Sequence, residues 1–210
     1  MALIVLTCLL ASSCATGGGE ESSLGPDYLC DAPEGTRVAS ALSETLGRGR
    51  FETTVFAMPA DLVRRVEGDL RQWTPEEGAL PTDVCLFQHQ AADGDRSVRI
   101  SFQWVSRDGQ RKRGLPDATG YEVSGVAAQT NEIRSEITFP CVMPGEGRAL
   151  SQRVHLMGRA AFTGERTGET REAKDVRHLT LTYLMAQRAV EALGCENKPL
   201  RGEPVVKPGT

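Results

Sequence analysis

The chain reads as an α+β domain, an antiparallel sheet with N- and C-terminal helices packed on one face and two disulfides holding the whole. Three observations predict it. Between Val84 and Phe162, short β-branched and aromatic runs are separated by glycine- and aspartate-bearing turns. On either side of that stretch, apolar residues repeat at spacings of three and four, the period of a helix with one buried face. Four cysteines, Cys30, Cys85, Cys141 and Cys195, are distributed through the body of the chain.

The first thirty residues are read as an address. Ala2 to Ala11 are almost unbroken apolar, and Ser12-Ser13 lead into Cys14. A glycine triplet and a charged Glu20-Glu21-Ser22-Ser23 stretch follow. The apolar run is shorter than the roughly 17–25 residues a spanning helix needs, and it matches the central region of a signal peptide. Its rivals are a plain secretory signal and a buried N-terminal strand; the glycines and charges that follow separate the run from any core. A cysteine at that junction resembles the lipobox of bacterial lipoproteins. The resemblance implies that residues 1–13 are a signal peptide and that Cys14 is acylated, with palmitate-type chains, as the first residue of the mature protein. Residues 14–29 are then a flexible tether, 30–198 a single domain and 199–210 a mobile tail.

In the domain, Thr36 is placed to cap a helix on which Val38, Ala41, Leu42 and Thr45 share a face, stopped at Gly47. Phe51 to Ala57 reads as a short strand. Pro59 opens a second helix with Leu62, Val63, Val66, Leu70 and Trp73 on one face, although Gly68 weakens it. A loop from Thr74 precedes a hairpin: Val84 to Phe87, a turn at Asp93-Gly94-Asp95, then Val98, Ile100, Phe102 and Trp104 alternating with polar residues. Arg107 to Thr119 is a polar loop carrying Arg111-Lys112-Arg113. Further strands are expected at Tyr121–Ala127, at Ile133–Phe139 with Ile133, Ser135, Ile137 and Phe139 on one face, and at Val154–Phe162. The last helix places Val176, Leu179, Tyr183, Ala186, Val190 and Leu193 on one side and stops at Gly194. A strand reading of His178 to Leu184, which alternates with threonines, is the weaker rival because the helical period runs longer.

An exported chain meets an oxidising compartment, where an even number of cysteines is expected to pair. Four cysteines permit three connectivities. Cys30–Cys85 with Cys141–Cys195 is favoured because the two loops are nearly equal and each bond ties a helix end to a strand end. The interval from Cys85 to Val98 and Ile100 also recurs from Cys141 to Val154 and Leu156, a faint echo that chance could equally produce. A metal site is disfavoured, since no Cys-x-x-Cys pair or close Cys/His cluster occurs. Leu29-Cys30 before a helix, Val84-Cys85 before a hairpin, Phe139-Pro140-Cys141 and Gly194-Cys195-Glu196-Asn197-Lys198-Pro199-Leu200 together resemble small four-cysteine lipoproteins of actinobacteria whose function is unknown. The resemblance implies an extracytoplasmic location, at the outer face of the cytoplasmic membrane, and an α+β fold. It supplies no catalytic residues.

Composition limits the function. Hydrophobic content of 40% and charge of 25% are globular values. A net charge of −4 argues against a nucleic-acid binder with a broad basic face. No nucleophile elbow, phosphate loop, dinucleotide fingerprint or zinc-protease motif is present, and no cofactor is expected. Gly47-Arg48-Gly49-Arg50 follows a helix rather than a strand, the wrong setting for a phosphate cradle. His89, His155 and His178 are scattered and read as surface or strand-edge residues. Glu20-Glu21 and Glu76-Glu77 read as solvated charge, Arg111-Lys112-Arg113 as a solvated tip or a contact to anionic lipid, and Trp73 and Trp104 as core. The expectation is a lipid-anchored, non-catalytic envelope protein that binds a small ligand or a partner protein. Two competitors are a hydrolase built on His89 or His155 with a carboxylate and a hydroxyl, and an interaction module without a pocket.

Overall fold

The structure, a computed structural model, describes residues 28–74, 79–91, 94–107, 115–164 and 168–209. The residues expected to be a signal peptide, Cys14 and all but Tyr28 and Leu29 of the expected tether lie outside the described residues, as do Glu76-Glu77 and Arg111-Lys112-Arg113.

Helix α1 (Arg37–Leu46) begins where Thr36 accepts a hydrogen bond from the Ala39 amide at 3.2 Å, and Gly47 ends it with φ at 106°. Strand β1 (Glu52–Val55) and helix α2 (Pro59–Gln72) follow, the proline occupying the first turn where no amide is needed. The long hairpin is β2 (Thr82–Ala91) and β3 (Gly94–Ser106). Strands β4 (Thr119–Val123), β5 (Val126–Thr130) and β6 (Arg134–Phe139) form a meander. A short helical stretch ending in α3 (Arg148–Ser151) leads to β7 (Val154–Thr163), then α4 (Arg171–Ala192) and β8 (Val206–Pro208).

These strands make one eight-stranded sheet in the order β1-β2-β3-β7-β6-β5-β4-β8, antiparallel throughout. The α+β fold expected from the sequence is the fold observed. In register, Val98 faces Phe162, Ile100 faces Ala160 and Trp104 faces Leu156, which puts these residues on one face. The helices lie there. Trp104 donates its indole N–H to the Val66 carbonyl of α2 at 2.8 Å, and Phe162 stacks on His178 of α4. A Cβ on Gly158 would stand 3.4 Å from the Ala186 methyl, so α4 approaches the sheet closely at this glycine. The opposite face is polar. There Glu136, only 3% exposed, accepts hydrogen bonds from Arg159 at 2.8 Å and Gln129 at 2.9 Å.

Both expected disulfides are present. Cys30 joins Cys85 with Cα atoms 5.6 Å apart, and Cys141 joins Cys195 at 5.2 Å. In the chain-entropy account a loop of this size contributes about 4 kcal/mol.

Several expectations need correction. Val176, expected on the buried side of the last helix, is 39% exposed, and His178, expected at the surface or a strand edge, is 2% exposed on α4. Tyr121 to Ala127 is not one strand: Ser124 (φ 49°) and Gly125 (φ 87°) form a tight turn with both residues left-handed, so β4 and β5 are a hairpin. Ile133 does not join the buried face of Ser135, Ile137 and Phe139; it is 58% exposed in the turn before β6. The interval after Cys141 holds helical turns where the interval after Cys85 holds a hairpin, so the spacing echo is not a structural repeat. The segment expected to be a mobile tail carries β8, paired with β4. Leu200 is buried, the Tyr183 hydroxyl donates to the Arg201 carbonyl at 3.0 Å, and Gln187 donates to the Gly202 carbonyl at 2.9 Å. Backbone pairing of this kind leaves no apolar period to read.

Candidate functional site

The most featured surface surrounds the turn from Gly47 to Phe51. Two recesses flank it, and the turn exists because of what it wraps. Arg96 of β3 is 9% exposed and donates from Nη1 to the Leu46 carbonyl at 3.2 Å. No basic residue of α1 itself lies in its last turn, so a cation from the neighbouring strand meets the negative end of the helix. A Cβ on Gly47 would sit 3.1 Å from that Nη1, and one on Gly49 would sit 2.6 Å from His89 Nε2. The two glycines let the chain close over Arg96 and His89. His89, on β2, leans on Phe51 with ring centroids 5.7 Å apart, and its buried Nδ1 has no hydrogen-bond partner among the described residues.

The first recess is an open cleft of about 620 Å³ bounded by Arg50, Phe51, His89 and the polar side chains of Gln88, Gln90 and Asp95. Behind it, with Ser97 and Thr163 common to both, lies a cavity of about 10 Å³, space for one water. His178 borders that cavity. Its ring stacks flat on Phe162 at 3.6 Å, and its Nδ1 has no hydrogen-bond partner among the described residues. Burial, with Arg177 and Lys174 nearby, pushes its pKa down to about 3, so the ring is neutral at ordinary pH.

The second recess is a groove of about 820 Å³ between α1 and β1, closed at one end by the segment from Cys30 to Glu34. That segment is held in place by the Cys30–Cys85 bond and by Arg188 of α4, which donates to the Tyr28 carbonyl at 2.9 Å and to the Asp31 carbonyl.

The structure does not bring the three histidines together. His89 lies on β2, His178 on α4, and His155 on β7, where burial and then Arg107 lower its pKa. Neither His89 nor His155 is hydrogen-bonded to a carboxylate or a hydroxyl among the described residues. No group of three or more metal-ligating side chains occurs among those residues. Trp104 lies in the core, and Trp73 is partly buried against the edge of that core cluster. Reasoning from sequence missed Arg96 as a buried cation, Asp175 as a buried carboxylate accepting from Tyr121 at 2.9 Å, and the Ser135–Thr182 contact under α4. The Tyr121 hydroxyl is pushed up to about 12, first by burial and then by its bond to Asp175. The one available signal was polar side chains at spacings that otherwise face the core.

No family model, no curated protein and no solved structure matches this chain. No helix among the described residues is long and apolar enough to cross a membrane.

Proposed function

We propose that the chain is an exported lipoprotein, held at the outer face of the cytoplasmic membrane by a lipid on Cys14, whose domain binds a small ligand or a partner protein without transforming it. The observation that carries the reading is the use of all four cysteines beyond the leader in two disulfides. Such bonds persist where the surroundings are oxidising, which agrees with the apolar leader that ends at Ser12-Ser13-Cys14. Binding is supported by the recesses beside Arg50. Arg50 is exposed and forms no ion pair among the described residues, and Gln88 and Gln90 add amide donors to the cleft. A cleft of this volume is of the size that small-molecule sites occupy.

Fractionation tests the anchor. The unaltered chain is expected in the membrane fraction, released only by detergent, and Cys14→Ala in the soluble fraction. A Cys14→Ala chain that still needs detergent overturns the proposal. Mass spectrometry of small molecules retained through native purification, compared with Arg50→Ala, tests the cleft.

A further inference from the structure

The geometry points to the outer edge of β1 as a docking site for an extended peptide of a partner protein, added antiparallel to β1 with a carboxylate at the Arg50 end. This rests on the binding-protein reading and names the chemistry of its partner.

Phase comes first. The Phe56 amide donates to the Val84 carbonyl at 2.8 Å, and Val55 faces Cys85. Backbone groups alternate along an antiparallel pair, so Glu52, Thr54 and Phe56 turn theirs toward β2 while Thr53 and Val55 turn theirs outward. Among the described residues β1 ends the sheet, so no described strand meets those outward groups. The same residues, Thr53 and Val55, line the groove of about 820 Å³, with Ala39 and Ser43 of α1 as its far wall. An added strand would have backbone partners on one side and a helix on the other, the arrangement used in strand-addition recognition.

The other end of the sheet is different. β8 is three residues long and ends at Pro208, which has no amide to offer. Between Glu52 and Val55 there is no proline and no lysine.

Charge then sets direction. Arg50 stands at the start of β1 and lines the groove. Asp31 and Glu34 line its opposite end, because they follow Cys30, whose partner Cys85 faces Val55. A strand antiparallel to β1 runs from the Val55 end to the Arg50 end. Its amino-terminal side meets the two carboxylates and its carboxyl side meets the guanidinium.

The test uses the full chain carrying Cys14→Ser and a library of short synthetic peptides with free carboxyl termini. Enriched peptides are expected to slow hydrogen exchange at the Thr53 and Val55 amides. Thr53→Pro, which removes an outward N–H and no internal bond, is expected to abolish binding with both disulfides and the unfolding temperature retained. Arg50→Glu should weaken binding by about tenfold, the scale of one charge-assisted hydrogen bond. Amidating the peptide carboxyl should weaken binding to the unaltered protein, and in Arg50→Glu it should relieve the repulsion between the two carboxylates and so weaken binding no further. Peptides that bind without changing exchange at Thr53 and Val55 overturn the edge assignment and leave the binding-protein reading standing. Protection of those amides before any peptide is added also overturns it: if it grows with protein concentration, a second copy occupies the edge, and if not, the chain's own segment does. A library from which nothing is enriched over Thr53→Pro overturns it as well. The small-molecule measurement then decides the broader reading separately.

Discussion

The His89 ring fills the space that a side chain at Gly49 would need, its Nε2 lying 2.6 Å from the position of a Cβ there. Gly49 also has φ at 145°, in the range that side chains rarely adopt. The turn joining α1 to β1, and with it Arg50 and both recesses, depends on that vacancy.

Gly49→Ala is therefore expected to destabilise the fold by roughly 1–3 kcal/mol, read from urea denaturation. Gly68→Ala is the matched control. Gly68 lies in α2 with open space around it and an ordinary φ, so alanine there should stabilise by about 0.5–1 kcal/mol. Equal effects from the two would show that the turn tolerates a side chain and that His89 can move aside.

Glu136 and Arg159 form a pair on the face away from the helices, with side chains 3% and 22% exposed. Arg159→Ala leaves a buried carboxylate whose remaining hydrogen-bond partner among the described residues is Gln129, and the expected cost is about 3–5 kcal/mol. The double replacement Glu136→Gln with Arg159→Met should cost clearly less, because no buried charge remains. A double mutant as unstable as Arg159→Ala would mean that packing, and not charge, dominates the site.

His178 makes stability depend on pH. Its folded pKa, about 3, lies below the ordinary value of 6.5, so between these values the unfolded chain takes up a proton that the folded chain does not. The contribution is complete above pH 6.5 and is lost as pH falls toward 3. Between pH 7.5 and 4.5 this group should remove roughly 2–3 kcal/mol from the unfolding free energy. His178→Phe, which keeps a flat ring against Phe162, should remove that part of the pH dependence. An unchanged slope in the variant would assign the effect elsewhere, His155 being the first candidate because its pKa is shifted in the same direction.

Peptide mapping without reduction should connect the Cys30 peptide to that of Cys85, and Cys141 to Cys195. Replacing Cys30 and Cys85 by alanine is expected to cost roughly 2–5 kcal/mol. It should also loosen the segment from Tyr28 to Glu34, measured as faster amide exchange there. A Cys30–Cys195 link would contradict both the pairing and the placement of that segment.

The local rules were legible in the residues alone. Thr36 and Gly47 bound α1, Pro59 opens α2, and the alternation from Val98 to Trp104 marks the central strand, because caps and periods act within a few residues of themselves. The pairing of the four cysteines was anticipated from nearly equal loops and from a spacing echo that is not a structural repeat, and Cys85 lies inside β2 rather than at its end. The Ser124-Gly125 hairpin was hidden inside an apolar run in which glycine passed for a strand residue.

Other features belong to contacts between distant segments, and only folding decides them. Arg96 meets the end of α1 across a sequence distance of 50 residues, Arg188 grips Tyr28 across 160, and β8 joins the sheet through backbone bonds that any side chains could accompany. The long helix α4 shows why periodicity runs out: it buries Leu181, Leu184 and Met185 as well as Leu179 and Tyr183. A helix enclosed by the sheet on one side and by α1 and the C-terminal segment on others has no single apolar stripe to announce its orientation. The outward edge of β1 is likewise a property of strand order, which depends on which hydrogen bonds the finished sheet leaves unmade.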